Sequence, residues 1–352
     1  EKLSTVVPEP GQPISVAPAD PLPCNNGYFT LFFDNDKFGG TDRNYTNGVR
    51  ISYITEGKPI IKIPFIQKEL GRFCGGLDSS PWVNRTVVFK NPNEVEYSYG
   101  IALTQLIYTP KTHETLTAPK GEHPYAGWLG LGFSLHARDA QTLHSVEFTV
   151  GVVGPHSYAQ ETQDYIHRLR GIDRLQGWDS QIPNEVTLNV ALNQRRRWKN
   201  LDNVQLPYGL ELDGFNETGL ALGNFLTAAH IGGMVRVGWN LPVEFSDPRL
   251  TTSAHTQKLY SGQSVNRKAW SFYALAGLRG SGILHEITLD GPVFRSFDTG
   301  VDRVPWVGEV YAGFGLRRNG WEIGYVHTYR TKRFKTQDRA QLFGSFAIRT
   351  HF

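Results

Sequence analysis

Strict alternation of apolar and polar residues, in segments of about ten residues, is the sequence feature that most constrains this fold. Val49, Ile51 and Tyr53 alternate with polar or small residues, and the pattern recurs at 231–239 and 306–317. Such a segment is typical of a β-strand whose two faces meet different surroundings. One face carries charge and glycine, which the core of a soluble sandwich rarely tolerates. The pattern therefore favours a barrel with an apolar exterior and a polar lumen.

The last segment and the overall composition agree with a membrane barrel. Leu342, Phe346 and Ile348 alternate with polar residues, and the final residue is the aromatic Phe352. No apolar run is long enough for a transmembrane helix, and a mean hydropathy of −0.35 suits strands that present only one face to lipid. A large soluble β-sandwich is the alternative. The net charge of +3 is too small to indicate nucleic acid as a partner.

The turns between the amphipathic segments predict an all-β protein, a closed antiparallel transmembrane β-barrel of about twelve strands with a short helix in an extracellular loop. An even number of strands places both termini on the periplasmic side. Arg318, Asn319 and Gly320 are typical of a tight periplasmic turn. The predicted strands are 27–35, 46–56, 94–108, 125–138, 143–153, 186–198, 207–221, 227–240, 268–282, 304–317, 320–330 and 340–352. The predicted outward connections are 36–45, 109–124, 154–185, 222–226, 283–303 and 331–339.

The sequence predicts one folded domain at 24–352, preceded by a tail at 1–23. The tail holds six prolines and little periodicity, which is typical of an extended periplasmic segment of a protein whose signal peptide has been removed. Cys24 and Cys74 both map to the periplasmic side, where an oxidising compartment favours a disulfide. Two free thiols or a metal pair are the alternatives.

Two polar clusters interrupt the strands and fall on the same side of the predicted barrel. The first cluster, at 32–48, supplies Asn35, Asp36 and Thr46. The second cluster, at 151–185, contains a predicted helix from Ser157 to Arg170. The helix places several polar side chains on one face, and they are Gln160, Gln163, Asp164 and His167. Asp173 follows just beyond the stop at Gly171, so we expect both clusters to form one site.

The motifs in these clusters resemble the lipid A 3′-O-deacylase family of Gram-negative outer membranes. They are FFDNDKF, DRNYTNG, LIYTP, HPYAGW, GVVGP, QETQDYIHRLRGI and GWDSQIPNE, in order between Phe29 and Glu185. The resemblance implies an outer-membrane barrel whose active site lies between the barrel wall and a loop helix, level with the outer leaflet. It also implies a Ca²⁺-dependent esterase that removes the 3′-linked acyloxyacyl chain of lipid A. We expect the protein to be a monomer.

The resemblance assigns roles to five residues. His167 matches the family's base, Asn35 and Asp36 match its Asn-Asp pair, Thr46 matches its threonine, and Asp173 matches its loop acid. The chemistry of these residue types agrees, because imidazole can accept a proton near neutral pH and Ca²⁺ prefers oxygen ligands. We therefore expect His167, Asn35 and Thr46 to be catalytic, and Asp36 and Asp173 to bind Ca²⁺.

Two positions depart from the family pattern. A family member has glutamate where this chain has Asp173, and the shorter side chain changes how a cation can be reached. At 109–124, where that member has adjacent basic residues, this chain has Lys111 and Lys120. These two lysines are the expected binding residues for the lipid A phosphates.

Other interpretations stay open at this point. A porin or adhesin would use the loop helix to plug or decorate the pore, and a serine-dependent phospholipase would need a serine beside the histidine, for which Ser157 is a candidate. Asp34 is expected to form a side-chain hydrogen bond to the backbone of a turn that ends the strand. Tyr125 and Trp128 are expected in the aromatic belt at the membrane interface.

Overall fold

The structure is a computed structural model that describes residues 27–40, 44–55, 58–59, 95–201, 204–241, 245, 247–250 and 270–351. The N-terminal tail, Cys24, Cys74 and Phe352 lie outside these described residues. The predictions made for them therefore stay predictions.

Twelve long strands, two short strands and two helices make up the described part of the fold. The strands are β1 (Gly27–Asn35), β2 (Asn44–Thr55), β3 (Lys58–Pro59), β4 (Glu96–Thr109), β5 (Ala126–Arg138), β6 (Thr142–Val153), β7 (Glu185–Arg197), β8 (Val204–Leu206), β9 (Leu210–Gly223), β10 (Leu226–Trp239), β11 (Ser271–Glu286), β12 (Trp306–Arg318), β13 (Trp321–Arg330) and β14 (Gln341–His351). The helices are α1 (Ala159–Arg170) and α2 (Ile287–Asp290). None of the helices in these ranges is long and apolar enough to cross a membrane.

The twelve long strands form one closed antiparallel ring. β1 pairs with β14 from Tyr28↔His351 to Asn35↔Gly344, and the pairing of β9 with β10 completes the circle. The predicted fold class is confirmed. β9 begins later than predicted, because the 3-10 turn Pro207–Gly209 separates it from the short strand β8.

The two faces of the strands differ as the alternation predicts. On β7 the side chains of Val186, Leu188 and Val190 are exposed, whereas those of Thr187 and Ala191 are buried in the barrel. Since successive side chains of a strand point to opposite faces, the apolar set covers the outer wall. The polar set faces the lumen.

A segment between β10 and β11 lies inside the lumen; we call its described residues, Phe245 and 247–250, the luminal segment. Arg195 of β7 donates to the carbonyl of Phe245 at 2.6 Å. Arg249 lies 2.6 Å from Asp247, 3.4 Å from Glu217 of β9 and 3.5 Å from Glu309 of β12. The buried charges are therefore paired with one another, as low-dielectric surroundings require. The luminal segment therefore contacts β7, β9 and β12 from inside the barrel.

The connections of the barrel divide between two rims. We call the end that carries α1 the upper rim, and its loops contact one another: the amide of Gly121 donates to the carbonyl of Gly300 at 3.0 Å, and Thr336 Oγ1 donates to the carbonyl of Gly121 at 2.7 Å. At the lower rim, Asn319 and Gly320 join β12 to β13 with φ of 50° and 83°, a two-residue turn of the predicted kind. Both polar clusters lie at the upper rim, as predicted.

Candidate active site

Asn35 ends β1 and caps the 3-10 turn Asp36–Gly39. Its Oδ1 accepts a hydrogen bond from the backbone N–H of Lys37 at 2.9 Å, so the amide nitrogen is its remaining donor. The neighbouring Asp34 points into the lumen, where its Oδ2 accepts a hydrogen bond from the Tyr45 hydroxyl at 3.0 Å. The turn assignment of Asp34 was therefore wrong. Strand alternation turns Asp34 inward, and Asn35 makes the turn bond instead.

Thr46 lies in a β-bulge between β2 and β4. Tyr45 pairs with Tyr108 and Asn47 pairs with Ile107, so Thr46 has no partner residue across the ladder. Its Oγ1 lies 2.7 Å from Oγ1 of Thr109. A bulge redirects a side chain away from the regular alternation, and this one directs Thr46 toward α1.

A small apolar cluster attaches α1 to the outer wall of the barrel. Tyr125 and Trp178 pack with ring centroids 5.2 Å apart, together with Ile107 and Ala159. Tyr125 is wholly buried beneath the helix. Trp128 is buried in the lumen against Phe225. The predicted place of Tyr125 and Trp128 in an aromatic belt was therefore wrong, because one lies under a loop helix and the other faces inward.

The helix α1 is two residues shorter than predicted. Pro155–Ser157 forms a separate 3-10 turn, and Tyr158 adopts a left-handed conformation, φ 55°, between that turn and the helix. At the other end Gly171 has φ 64°, and the backbone N–H of Ile172 donates to the carbonyl of His167 at 2.9 Å. This C-cap is a common way to end a helix, and it turns the chain back toward His167.

The returning chain fixes the tautomer of His167. The ring Nδ1 lies 2.7 Å from the backbone carbonyl of Asp173. A carbonyl oxygen only accepts hydrogen bonds, so Nδ1 carries the proton and Nε2 is left as a base. The side chain of His167 is buried.

Gln163 lies one helical turn before His167. Its Oε1 accepts a hydrogen bond from the indole N–H of Trp178 at 3.0 Å, and its buried Nε2 has no hydrogen-bond partner among the described residues. The sequence placed Gln163 on the correct face of the helix but gave it no role. Gln160 and Asp164 do not line the cleft formed by that face. Asp164 instead lies 3.8 Å from Arg174.

A cleft between α1 and the upper ends of β1, β2 and β4 unites these groups. Its lining residues are Asn35, Lys37, Thr46, Asn47, Ile107, Thr162, Gln163, Ile166, His167 and Arg170. The three predicted catalytic residues are therefore brought together. The cleft has a volume of about 50 Å³, and one water occupies roughly 30 Å³. It can hold a reacting group and a water, while the rest of a large substrate must lie outside.

The other predicted site residues do not line this cleft. Asp36 is wholly buried beside Asn35, whereas the side chain of Asp173 is exposed and only its carbonyl contacts His167. The described ranges contain no group of three His, Cys, Asp or Glu residues that could hold a metal ion. Lys111 forms an ion pair with Asp338 at 2.7 Å, and Lys120 lies in an upper-rim loop beside Gly300.

Lys37 and Arg170 are cleft residues that the sequence did not single out. The spacing carried a signal in each case, because Lys37 follows Asn35 by two residues and Arg170 follows His167 by three. Residues three apart on a helix are neighbours on its surface. The spacing alone could not show that both side chains line one cleft, because that depends on β1 lying beside α1 in the folded structure.

One family model and one solved structure agree with this architecture. A family model described as outer membrane protein LpxR matches residues 10–352. LpxR from Salmonella typhimurium matches in structure with a TM-score of 0.69 and 17% identity, covering 92% of this chain and 100% of that chain. The beta domain of the Bordetella autotransporter Brka has a TM-score of 0.42 and 11% identity, covering 94% of this chain and 99% of that one. No curated protein sequence matches the chain significantly. The Salmonella structure shares the fold, and since the family model spans nearly the whole sequence, this protein belongs to the LpxR family of outer membrane proteins.

Proposed function

We propose that the protein is an outer-membrane lipid A deacylase that hydrolyses the ester of the 3′-linked acyloxyacyl chain. One observation carries the proposal: a buried histidine with a fixed tautomer shares a cleft with an asparagine and a threonine from the barrel wall. Family membership and the motifs between Phe29 and Glu185 support the substrate class. The position of the cleft at the upper rim suits a lipid of the outer leaflet.

In the proposed reaction, Nε2 of His167 accepts a proton from water as the water oxygen bonds to the ester carbonyl carbon. The Nδ1–H bond to the carbonyl of Asp173 keeps the ring oriented and stabilises the imidazolium that forms. The protonated ring then gives its proton to the departing 3′ oxygen of the sugar. The products are a free acyloxyacyl acid and a sugar hydroxyl, so atoms and charge balance.

Amide donors in the cleft suit the oxygen that gains charge in this reaction. Asn35 and Gln163 each have their amide oxygen engaged by an N–H donor, so each can offer N–H groups to the substrate. Donors already oriented toward a developing oxyanion are among the strongest sources of catalysis. The Thr46 hydroxyl, held by Thr109, can orient the attacking water or the ester.

We further propose that Ca²⁺ is the metal, with Asp36 and Asp173 as its ligands. Both offer hard carboxylate oxygens, and Ca²⁺ completes a shell of about six to eight ligands with backbone carbonyls and water. When bound, the ion would supply positive charge for the ester carbonyl oxygen. The position of Asp36 favours this role, because it directly follows the cleft residue Asn35.

The test is mass spectrometry of purified lipid A incubated with the protein in detergent micelles. We expect the loss of one acyloxyacyl group with wild type, and a rate at least about 100-fold lower with His167→Ala. His156→Ala is the matched control, because His156 is exposed on the same connection. Chelation should stop turnover, and Ca²⁺ should restore it better than Mg²⁺.

Three results would reject the proposal. They are an active His167→Ala variant, acyl loss from phospholipids alone, and acyl loss only at the 3-position of lipid A. A serine-dependent phospholipase gains no support from the structure. Ser157 is buried and its Oγ donates to the carbonyl of Gly154 at 2.6 Å.

A further inference from the structure

Two cationic side chains stand on opposite sides of the cleft. Lys37 belongs to the 3-10 turn that follows β1, and Arg170 is the last residue of α1. The cleft lining contains no aspartate or glutamate. Two cationic side chains from two separate elements therefore border the cleft.

Helix stability alone does not explain the position of Arg170. A cation in the last turn of a helix is stabilised by the helix dipole, and Arg168 occupies that last turn as well. Only Arg170 lines the cleft. It lies one turn beyond His167 on the same helix face, so both residues border the cleft.

The proposed substrate carries a phosphate that would lie beside the cleft when the 3′ ester is bound. In lipid A, the sugar carbon next to the esterified 3′ carbon carries a phosphate. A site that holds the 3′ ester must therefore hold the 4′-phosphate beside it. Arginine and lysine are the residues that bind phosphate most strongly.

The lysines expected from the sequence to bind phosphate lie elsewhere. Neither Lys111 nor Lys120 lines the cleft. The ammonium of Lys111 is 2.7 Å from the carboxylate of Asp338, an exposed pair between two upper-rim loops.

We propose that Lys37 and Arg170 bind the 4′-phosphate of lipid A and make the enzyme selective for substrates that carry it. The proposal rests on the deacylase function, and it adds the specificity-determining residues. Arg170 offers paired N–H donors from the helix side, and Lys37 offers an ammonium from the barrel side. Together they position the ester carbonyl against Nε2 of His167.

The experiment compares two substrates, lipid A with both phosphates and lipid A lacking the 4′-phosphate. Initial rates are measured for wild type, Lys37→Ala, Arg170→Ala and the double variant. We expect wild type to prefer the phosphorylated lipid by at least about 10-fold, which is the scale of one charge-assisted hydrogen bond. The double variant should show a ratio near one, because its rate on the phosphorylated lipid falls more than its rate on the dephosphorylated lipid.

Arg168→Ala is the matched control, because it removes the same charge from the same helical turn outside the cleft. It should keep the wild-type ratio. Arg170→Lys should restore part of the preference. The proposal is overturned if the double variant keeps the wild-type rate ratio. It is also overturned if Arg168→Ala loses the phosphate preference to the same extent, or if Lys111→Ala loses it.

A binding measurement separates this proposal from the function on which it rests. In the His167→Ala background, equilibrium binding of the two lipids in mixed micelles should show the same phosphate preference, and Lys37→Ala with Arg170→Ala should abolish it. Binding preference without turnover in wild type rejects the deacylase function alone. Turnover without a phosphate preference rejects the role of Lys37 and Arg170 alone.

Discussion

The hydrogen bond between Nδ1 of His167 and the Asp173 carbonyl separates the role of the Asp173 backbone from that of its side chain. The backbone of Asp173 orients the base, and its carboxylate is left for the proposed cation. A change of side chain at this position therefore does not disturb the imidazole. The place of His167 on the cleft face of the helix could be predicted from the sequence. Its carbonyl partner could not, because that contact depends on the chain reversal after Gly171.

Gln163 provides a test of the amide donors at the residue scale. Gln163→Leu keeps a similar volume but removes the N–H group, so we expect kcat on lipid A to fall about 10²–10³-fold with little change in KM. Trp178→Phe should produce a smaller fall, because it frees the amide to rotate. Gln160→Leu is the control on the same helix. An equal loss with Gln160→Leu would assign the effect to the helix itself.

His123 makes the stability of the upper rim sensitive to pH. Burial and then the positive charge of Arg333 lower the pKa of His123 from 6.5 to about 3. Above pH 6.5 the ring is neutral in both states and the full stability is present. As the pH falls, the unfolded chain binds a proton that the folded protein does not, so stability decreases by about 1.4 kcal/mol per pH unit down to the folded pKa.

The measurement is the free energy of unfolding in urea at pH 7 and pH 5 for wild type and His123→Phe. The phenylalanine should keep the stacking on Tyr108, whose ring lies 5.1 Å from that of His123. We expect wild type to lose about 2 kcal/mol more than the variant between these pH values. His156→Ala, at an exposed histidine, should behave as wild type. An equal loss of unfolding free energy in wild type and His123→Phe between pH 7 and pH 5 would contradict the prediction.

At the element scale, the position of α1 against the wall decides whether the cleft exists. Alternation predicted the strands well, since each strand separates lipid from lumen along its whole length. The stop at Gly171 predicted the helix end. The sequence predicted the helix start at Ser157, two residues too early. Tyrosine rarely adopts the left-handed conformation that Tyr158 has, so its residue type did not indicate a break there. The bulge at Thr46 was equally hidden, because it is a property of the pairing of β2 with β4.

Gly127 of β5 permits the close approach of α1. A Cβ at this position would overlap Cβ of Ala159 and Oγ of Ser157, so Gly127→Ala must push the helix start outward. We expect a folded barrel, judged by its heat-modifiable migration, with deacylase activity reduced at least about tenfold. Gly280→Ala on β11 is the control, because a Cβ there meets only open space. Full activity in Gly127→Ala would mean that the cleft tolerates the displacement.

At the scale of the whole molecule, the closed barrel holds the luminal segment inside it. Closure was predictable from the even set of amphipathic segments. The luminal segment was not, because residues 247–250 show no periodicity and their partners Glu217 and Glu309 are distant in sequence. Arg249 also lies 3.5 Å from the ring centroid of Tyr311, so it binds the β12 wall through both charge and aromatic contact.

The charged luminal segment predicts a barrel that does not conduct ions steadily. Purified protein in planar lipid bilayers should show no steady conductance, whereas a variant with residues 245–250 replaced by glycine and serine should conduct. Arg249→Ala should give intermittent openings, because it removes the ion pairs to β9 and β12. A porin measured in the same bilayers is the positive control. Steady conductance by the wild-type protein would favour the porin interpretation over the enzyme.

The luminal segment also bears on the permeability of the outer membrane. An outer membrane excludes bile salts and bulky antibiotics only while its proteins leave no continuous water path across it. With charged side chains packed between β7, β9 and β12, the luminal segment narrows such a path among the described residues. A narrowed lumen would let a bacterium carry many copies of this barrel with less leakage of the compounds that its surface keeps out.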